Sequence, residues 1–106
     1  MQPDNRRVSG MVTEFAHIEA KPGIEQELIK GVEASRPVFM AAKGCKHMAL
    51  QRSVEEPTKF LLIVQWESVE DHMVHFRESE GFKVWRGNVG HCFAVPPVVW
   101  HGEAVA

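Results

Sequence analysis

The side chain best suited to proton transfer in this sequence is His75, which follows Trp66 across a short polar stretch, VQWESVEDHMVH. Imidazole has an unperturbed pKa near neutrality, so it can take or give a proton at working pH. A positioned general base typically supplies about 10²–10⁴-fold in rate. The sequence therefore offers His75 as a general base; the alternative is a histidine that faces solvent or caps an amphipathic helix.

Trp66 is the second candidate for a catalytic position. It closes an apolar run, 60–66, at the point where a strand gives way to a helix. An indole at such a seam can stack on an aromatic substrate and donate its N–H. The alternative is an anchor within the core, where the ring packs against other apolar side chains.

Several side chains near this junction are suited to bind a small flat molecule. Phe82 and Trp85 lie three positions apart and share one helix face. Arg86 beside them can hold a phenolate or a carboxylate, or be solvated on the surface. Glu14 is the one charge on an apolar strand face; it can orient a histidine, hold a substrate hydroxyl or reach water at the end of the sheet. The predicted substrate-binding residues are Glu14, His72, Phe76, Phe82, Trp85 and Arg86.

No metal and no cofactor are predicted. His72 and His75 stand three positions apart, but zinc sites use three or four ligands and no third ligand has a recognisable spacing. The sequence has no Gly-rich phosphate loop and no C-x-x-C, G-x-S-x-G or H-E-x-x-H motif, so flavin or nicotinamide binding has no support. The strand histidines, His17, His47 and His101, are interpreted as barrel or dimer-interface contacts.

Composition indicates one globular domain. The chain has 106 residues and a net charge of −2, without a basic stripe or a long apolar run, so we predict no nucleic-acid partner and no membrane span. Residues 1–10 are polar and lack a signal core, which predicts a flexible arm before a domain of residues 11–106 and a cytoplasmic location. Cys45 and Cys92 are expected to be reduced, buried thiols.

Hydrophobic periodicity predicts the order strand, helix, strand, strand, split helix, strand. The predicted strands are 11–20, 45–54, 60–66 and 98–105, because apolar residues alternate or run unbroken there. The first helix is expected to kink or restart at Pro37 and to be capped at Gly44. Ser68 with Asp71, and then Ser79, cap the two later helices, 68–77 and 79–90. This order indicates a ferredoxin-like split βαβ α+β fold with a four-stranded antiparallel sheet.

The chain resembles the antibiotic biosynthesis monooxygenase family, a group of dimeric α+β barrels. The resemblance covers about 11–104 and is carried by AKPG at 20–23, Gly44 and Cys45, QWES at 65–68, His75, and SEGFKVW at 79–85. It implies a homodimer, in which two sheet faces meet and cover the apolar residues around Phe15, and a pocket in each subunit between sheet and helices. Relative to other members, one extra residue falls near 77–78.

The resemblance also separates branches of the family. The haem-degrading branch uses an Asn on the first strand, a Trp on helix two and a His on helix three. The nearest positions here are Ala16, Phe76 and Arg86, so haem degradation is not expected. The family's recurring helix-two histidine falls at His75.

The resemblance, together with the side chains described above, implies a cofactor-independent monooxygenase of a small aromatic substrate, such as a phenol, a quinol or a polyketide-type ring. His75 would act as the base, and the partners would be a second copy of the chain, the aromatic molecule and dioxygen. Two alternatives stay open. One is an isomerase or degradative enzyme for a small oxygenated metabolite; the other is a non-catalytic dimeric module that binds a ligand unchanged.

Overall fold

The computed structural model of the protein describes residues 11–106. The four strands are β1 (Val12–Glu19), β2 (Cys45–Arg52), β3 (Lys59–Trp66) and β4 (Val98–Gly102). They form one antiparallel sheet in the order β2-β3-β1-β4. This is the strand order of a ferredoxin-like fold, so the predicted fold class is confirmed. The predicted arm, 1–10, lies outside the described residues.

One face of the sheet carries the core because side chains alternate along each strand. On β1, Glu14, Ala16 and Ile18 are buried beneath the helices, while His17 is exposed on the other face. The inward residues of β3 are Phe60, Leu62, Val64 and Trp66. The two-residue period of the sequence therefore placed Glu14 correctly on the helix side.

Two α-helices cover this face. Helix α1 (Glu25–Met40) buries Leu28, Val32 and Phe39, and α2 (Glu80–Val89) buries Trp85 and Val89. Ser79 caps α2 by accepting a hydrogen bond from the Phe82 amide, as predicted. A short 3₁₀ turn, Gly90–Cys92, then leads towards β4.

The sequence predicts a kink or a restart of the first helix at Pro37, but the structure shows no restart there. The helix continues to Met40, and the Ala41 amide donates to the Pro37 carbonyl over 3.0 Å. Only one turn follows the proline, and the packing of Phe39 against Phe76 and Trp85 holds that turn in place. Gly44 does have a left-handed backbone, with φ of 80°, but it lies beyond the end of the helix.

The connection after β3 differs most from expectation. Ser68 accepts a hydrogen bond from the Asp71 amide, so the predicted cap forms. The chain then follows a π-helical segment, Asp71–Phe76, rather than a regular α-helix. Its wide turn is marked by the Arg77 amide, which donates to the His72 carbonyl five residues back.

Candidate functional site

A cavity of about 230 Å³ lies between the sheet and the helices. It is somewhat smaller than typical ligand pockets, which are roughly 300–1,000 Å³, and suits a molecule of about one ring. The lining residues are mostly apolar or aromatic, with four titratable groups among them: Glu14, His72, Arg77 and Arg86. The site therefore combines an apolar space with room for about one ring and side chains that can transfer a proton or bind a charged group.

Glu14 is the acidic group of the cavity. It is only 4% exposed, and its Oε1 accepts a hydrogen bond from Trp66 Nε1 over 3.0 Å. Burial raises the pKa of Glu14 from 4.5 to about 7, although the Trp66 hydrogen bond and the charge of Arg77 act in the opposite direction. A carboxyl group with this pKa exchanges its proton near neutral pH, as a general base must.

His72 lies next to Glu14 and is also buried. Its Nε2 is 3.4 Å from Glu14 Oε1, and its Nδ1 is 2.8 Å from Nε2 of His101. Burial, together with the positive charges of His101 and Arg77, lowers the pKa of His72 from 6.5 to about 4. The ring is therefore neutral near pH 7, with one nitrogen as donor and the other as acceptor.

Trp66, Glu14, His72 and His101 thus form a row from the core to the edge of the sheet, with a hydrogen bond at each end and a 3.4 Å contact between Glu14 and His72 in the middle. Trp66 stacks on the His72 ring at a centroid distance of 5.2 Å and also holds Glu14. β4 places His101 directly opposite Glu14 across the β1–β4 pair. Burial lowers the pKa of His101 as well. The arrangement can accept a proton at Glu14, beside a neutral His72 ring that is hydrogen-bonded to His101.

An aromatic cluster forms the apolar wall. Phe39 contacts Phe76 at a centroid distance of 4.8 Å and Trp85 edge-on at 5.0 Å. Phe82 meets Phe76 edge-on at 5.7 Å. Tilted and edge-on contacts of this kind are the favoured aromatic geometries, so these rings give the cavity a fixed apolar wall.

All six predicted substrate-binding residues line this one cavity, although the sequence places them on three separate elements. They are Glu14, His72, Phe76, Phe82, Trp85 and Arg86. Their binding of a substrate stays a prediction. Trp66 is fully buried, is not one of the lining residues and donates its indole N–H to Glu14. The catalytic role predicted for Trp66 stays a prediction.

His75, predicted as the general base, does not line this cavity. Its side chain is exposed and borders a separate surface depression with Val38 and Lys43. A π-helix turns through a smaller angle per residue than an α-helix, so the residue three positions after His72 falls further short of a full turn and points further from the His72 face. His72 therefore faces the cavity and His75 faces away. The catalytic role predicted for His75 is a separate matter and stays a prediction.

Sequence reasoning missed two residues of the site. The sequence predicts His101 as a barrel or interface contact, because the pattern of the short strand after Pro96 and Pro97 does not show which of its faces points inward. The sequence does not predict Arg77 as a site residue, because Arg77 follows a segment that the sequence predicts as α-helical and the structure shows as π-helical. The only available signal was the extra residue near 77–78, since a one-residue insertion in a helix is what a π-helical turn accommodates.

The described residues provide no metal centre and no membrane span. Within residues 11–106, no group of three or more His, Cys, Asp or Glu side chains could hold a metal ion. No helix in that range is long and apolar enough to cross a membrane. Cys45 and Cys92 are free and buried, as predicted.

The sequence matches the antibiotic biosynthesis monooxygenase family over residues 11–88, and the chain belongs to that family. A Bordetella bronchiseptica protein, provisionally named as an antibiotic biosynthesis monooxygenase, is 48% identical, with a TM-score of 0.90 over 92% of this chain and 99% of its own. The uncharacterized protein YczJ of Bacillus subtilis is 34% identical over 90% of this chain and all of its own length.

A more distant structure shows the same fold. The Pseudomonas aeruginosa protein PA3566 has a TM-score of 0.73 at 23% identity, covering 92% of this chain and 96% of its own.

Proposed function

We propose that this protein is a cytoplasmic, cofactor-independent monooxygenase of a small phenolic or quinol-type aromatic. The observation that carries the proposal is Glu14, a buried carboxyl group at the wall of a ring-lined cavity, hydrogen-bonded to Trp66 and next to a neutral His72. The family, whose name is that of monooxygenases, supports the same chemistry.

Glu14 rather than His75 is the base in this proposal. The Glu14 carboxylate accepts the phenolic proton, while the Trp66 hydrogen bond and the neutral His72 ring beside it hold the carboxylate in place. The matching of its pKa of about 7 to working pH favours this transfer. The resulting phenolate, held among apolar rings, is electron-rich enough to give an electron to dioxygen.

The reaction balances without an added reductant. The phenolate passes one electron to dioxygen, and the two radicals join to form a carbon–oxygen bond at the ring. The proton held by Glu14 is given to the distal oxygen of this peroxide. Loss of the ring C–H proton then breaks the O–O bond, so that one oxygen atom stays as a quinone carbonyl and the other leaves as water. Phenol plus dioxygen thus gives quinone plus water.

Oxygen uptake with a panel of phenols, naphthols and hydroquinones tests the proposal. The Glu14→Gln protein keeps the shape of the side chain but loses the base, so we expect its rate to fall by about 10²–10⁴-fold. Glu33→Gln is the matched control, since Glu33 lies exposed on α1 beside Arg36 and away from the cavity. A wild-type rate no faster than buffer across the panel would count against the function for those substrates.

Two further arms separate the alternatives. If His75→Gln abolishes uptake while Glu14→Gln does not, the base is His75 and the assignment of Glu14 is wrong. If product forms at the same rate without oxygen, the same acid–base groups serve an isomerase or degradative reaction instead. A ligand that is bound and recovered unchanged under air supports a binding module.

We also propose that the protein is a homodimer. The sheet face away from the helices carries apolar residues, and two of them on β4 are well exposed, Val98 at 62% and Trp100 at 53%. Trp100 packs on Phe15 of β1 at a centroid distance of 4.8 Å, so the exposed surface extends across neighbouring strands. Apolar patches of this kind commonly mark an interface, and a two-fold axis would bury both copies together.

A further inference from the structure

Two guanidinium groups flank one aromatic ring at the cavity wall. The Cζ atom of Arg77 lies 5.4 Å from the centroid of Phe82, and that of Arg86 lies 6.0 Å from the same centroid. Both arginines line the cavity together with Phe82. Positive charge from two different elements, the turn after the π-helical segment and α2, therefore converges on one part of the site.

Neither guanidinium is neutralised within the part of the chain that the structure describes. Arg77 has a weak contact from Nη1 to the Met73 sulfur at 3.8 Å, and no carboxylate of residues 11–106 forms an ion pair with either arginine. By contrast, Arg36 and Lys43 each have a carboxylate oxygen at 2.9 Å. The two cavity arginines thus keep their donors available for a ligand.

The cavity has little negative charge of its own to balance them. Glu14 is the one carboxyl group among the lining residues, and its oxygen is already used by Trp66 and His72. His72 carries no charge near pH 7 because its pKa is lowered to about 4. The empty space therefore has an acid–base group in its inner wall and a net positive charge beside its apolar rings.

We propose that the substrate is an aromatic carboxylate, bound with its hydroxyl group at Glu14 and its carboxylate at Arg77 and Arg86. The assignment rests on the proposed function for the role of the hydroxyl group, but the binding of the acid does not depend on oxidation. Arginine is suited to this task because its planar donors match the two oxygens of a carboxylate. Phe82 and Trp85 would contact the ring.

Another explanation for the arginines is that each rests on Phe82 as a solvated cation, without a ligand. The chain contains an internal control for that case. Arg52 lies over the Phe60 ring with its Cζ 5.8 Å from the centroid, nearly the same geometry, but it does not line this cavity. A role in ligand binding should therefore distinguish Arg77 and Arg86 from Arg52.

Calorimetric titration without oxygen tests the proposal with a matched pair of probes. The first is 2,5-dihydroxybenzoate, and the second is 2,5-dihydroxybenzamide, which has the same shape without the charge. We expect the wild type to bind the acid at least about tenfold more tightly than the amide, as charge-assisted hydrogen bonds imply. Arg77→Gln and Arg86→Gln should each reduce this preference severalfold, whereas Arg52→Gln should leave it unchanged.

Equal affinity for acid and amide, no saturable binding of the acid, or an equal effect of Arg52→Gln would each overturn the proposal. Its failure is distinguishable from failure of the oxygenase function. Oxygen uptake with neutral phenols, combined with no preference for the acid, would support the oxygenase function but contradict the proposal that the substrate is an aromatic carboxylate. Preferential binding of the acid that depends on both arginines, without oxygen uptake, would support the carboxylate site and contradict the oxygenase.

Discussion

Burial favours the uncharged form of both Glu14 and His72, because this form costs less free energy to bury than the charged form. Burial penalises charge, so it raises the pKa of the carboxyl group and lowers that of the imidazole. The 3.4 Å contact between them is accordingly a contact of largely uncharged groups rather than a strong ion pair. A carboxyl group with a pKa of about 7 can take up or release a proton close to neutral pH, and this is the property that the proposed chemistry uses.

The opposed pKa shifts predict opposite effects of pH on stability. The unfolded chain loses the Glu14 proton at about pH 4.5 and the folded protein at about 7, so the folded state is penalised as pH rises through this window. For His72 the unfolded chain gains a proton as pH falls below 6.5, whereas the folded ring resists until about 4. In the wild type, the contributions of Glu14 and His72 to the pH dependence of the unfolding free energy therefore have opposite signs between about pH 4.5 and 6.5.

Urea unfolding of single-substitution variants at several pH values should separate the contributions of Glu14 and His72 to the unfolding free energy. Relative to wild type, Glu14→Gln should gain stability as pH rises from 4.5 to 7, by on the order of 3 kcal/mol in total. His72→Gln should gain relative stability as pH falls from 6.5 to 4. The control is Glu103→Gln at an exposed position. Differences from wild type that stay constant with pH would show that neither group is buried as described.

At the scale of elements, the start of the π-helical segment is fixed by contacts to the turn before β2. Asp71 is buried and lies directly against Gly44. Its Oδ1 forms an ion pair with Lys43 and accepts a hydrogen bond from Lys43 Nζ over 2.9 Å. The pKa of Asp71 is lowered, chiefly by the Lys43 hydrogen bond. Because His72 is the next residue, the position of its ring depends on this contact.

Gly44→Ala should therefore destabilise the protein more than Gly23→Ala. Both glycines have positive φ, 80° and 94°, so each alanine incurs roughly 1–2 kcal/mol of backbone strain. A methyl group at Gly44 would also collide with the Asp71 carboxylate, whereas nothing lies within 4 Å of one at Gly23. Urea unfolding of the two variants measures the difference. Equal losses would mean that Asp71 moves aside freely and does not fix the segment.

At the scale of the whole molecule, the sheet has two unlike faces. The helices cover one face and build the cavity on it. The other face has Leu61 and Ile63 of β3 half-buried at its centre and Trp100 exposed towards its edge. A single copy of the chain leaves that surface in contact with water, and this is the physical reason for the proposed dimer.

Light scattering at low micromolar concentration should give twice the chain mass of 12.0 kDa. Ile63→Lys and Trp100→Lys place a charge on the proposed interface, so each should shift the protein towards the single-chain mass. Val54→Lys is the control, because Val54 is 90% exposed in the turn between β2 and β3 and lies off this face. A well-folded wild-type protein of single-chain mass would contradict the dimer.

Much of the fold can be predicted from the sequence because it depends on local patterns and not on tertiary contacts. Alternation on β1 puts Glu14 beneath the helices, and serine caps begin the later helices. The candidate cavity residues could be proposed for the same reason, since Phe82 and Trp85 share a face wherever α2 lies. These features depend on neighbours in the sequence and on a fixed period.

Only the tertiary structure decided which histidine faces the cavity. A change from an α-helical to a π-helical turn moves His75 to the surface and leaves His72 in the wall, and the extra residue alone does not locate that change. The pairing of β4 with β1 brings His101 opposite Glu14 from far along the chain. The acid–base row is thus set by helix phase and strand register, both of which packing fixes, whereas the elements themselves are set by local sequence.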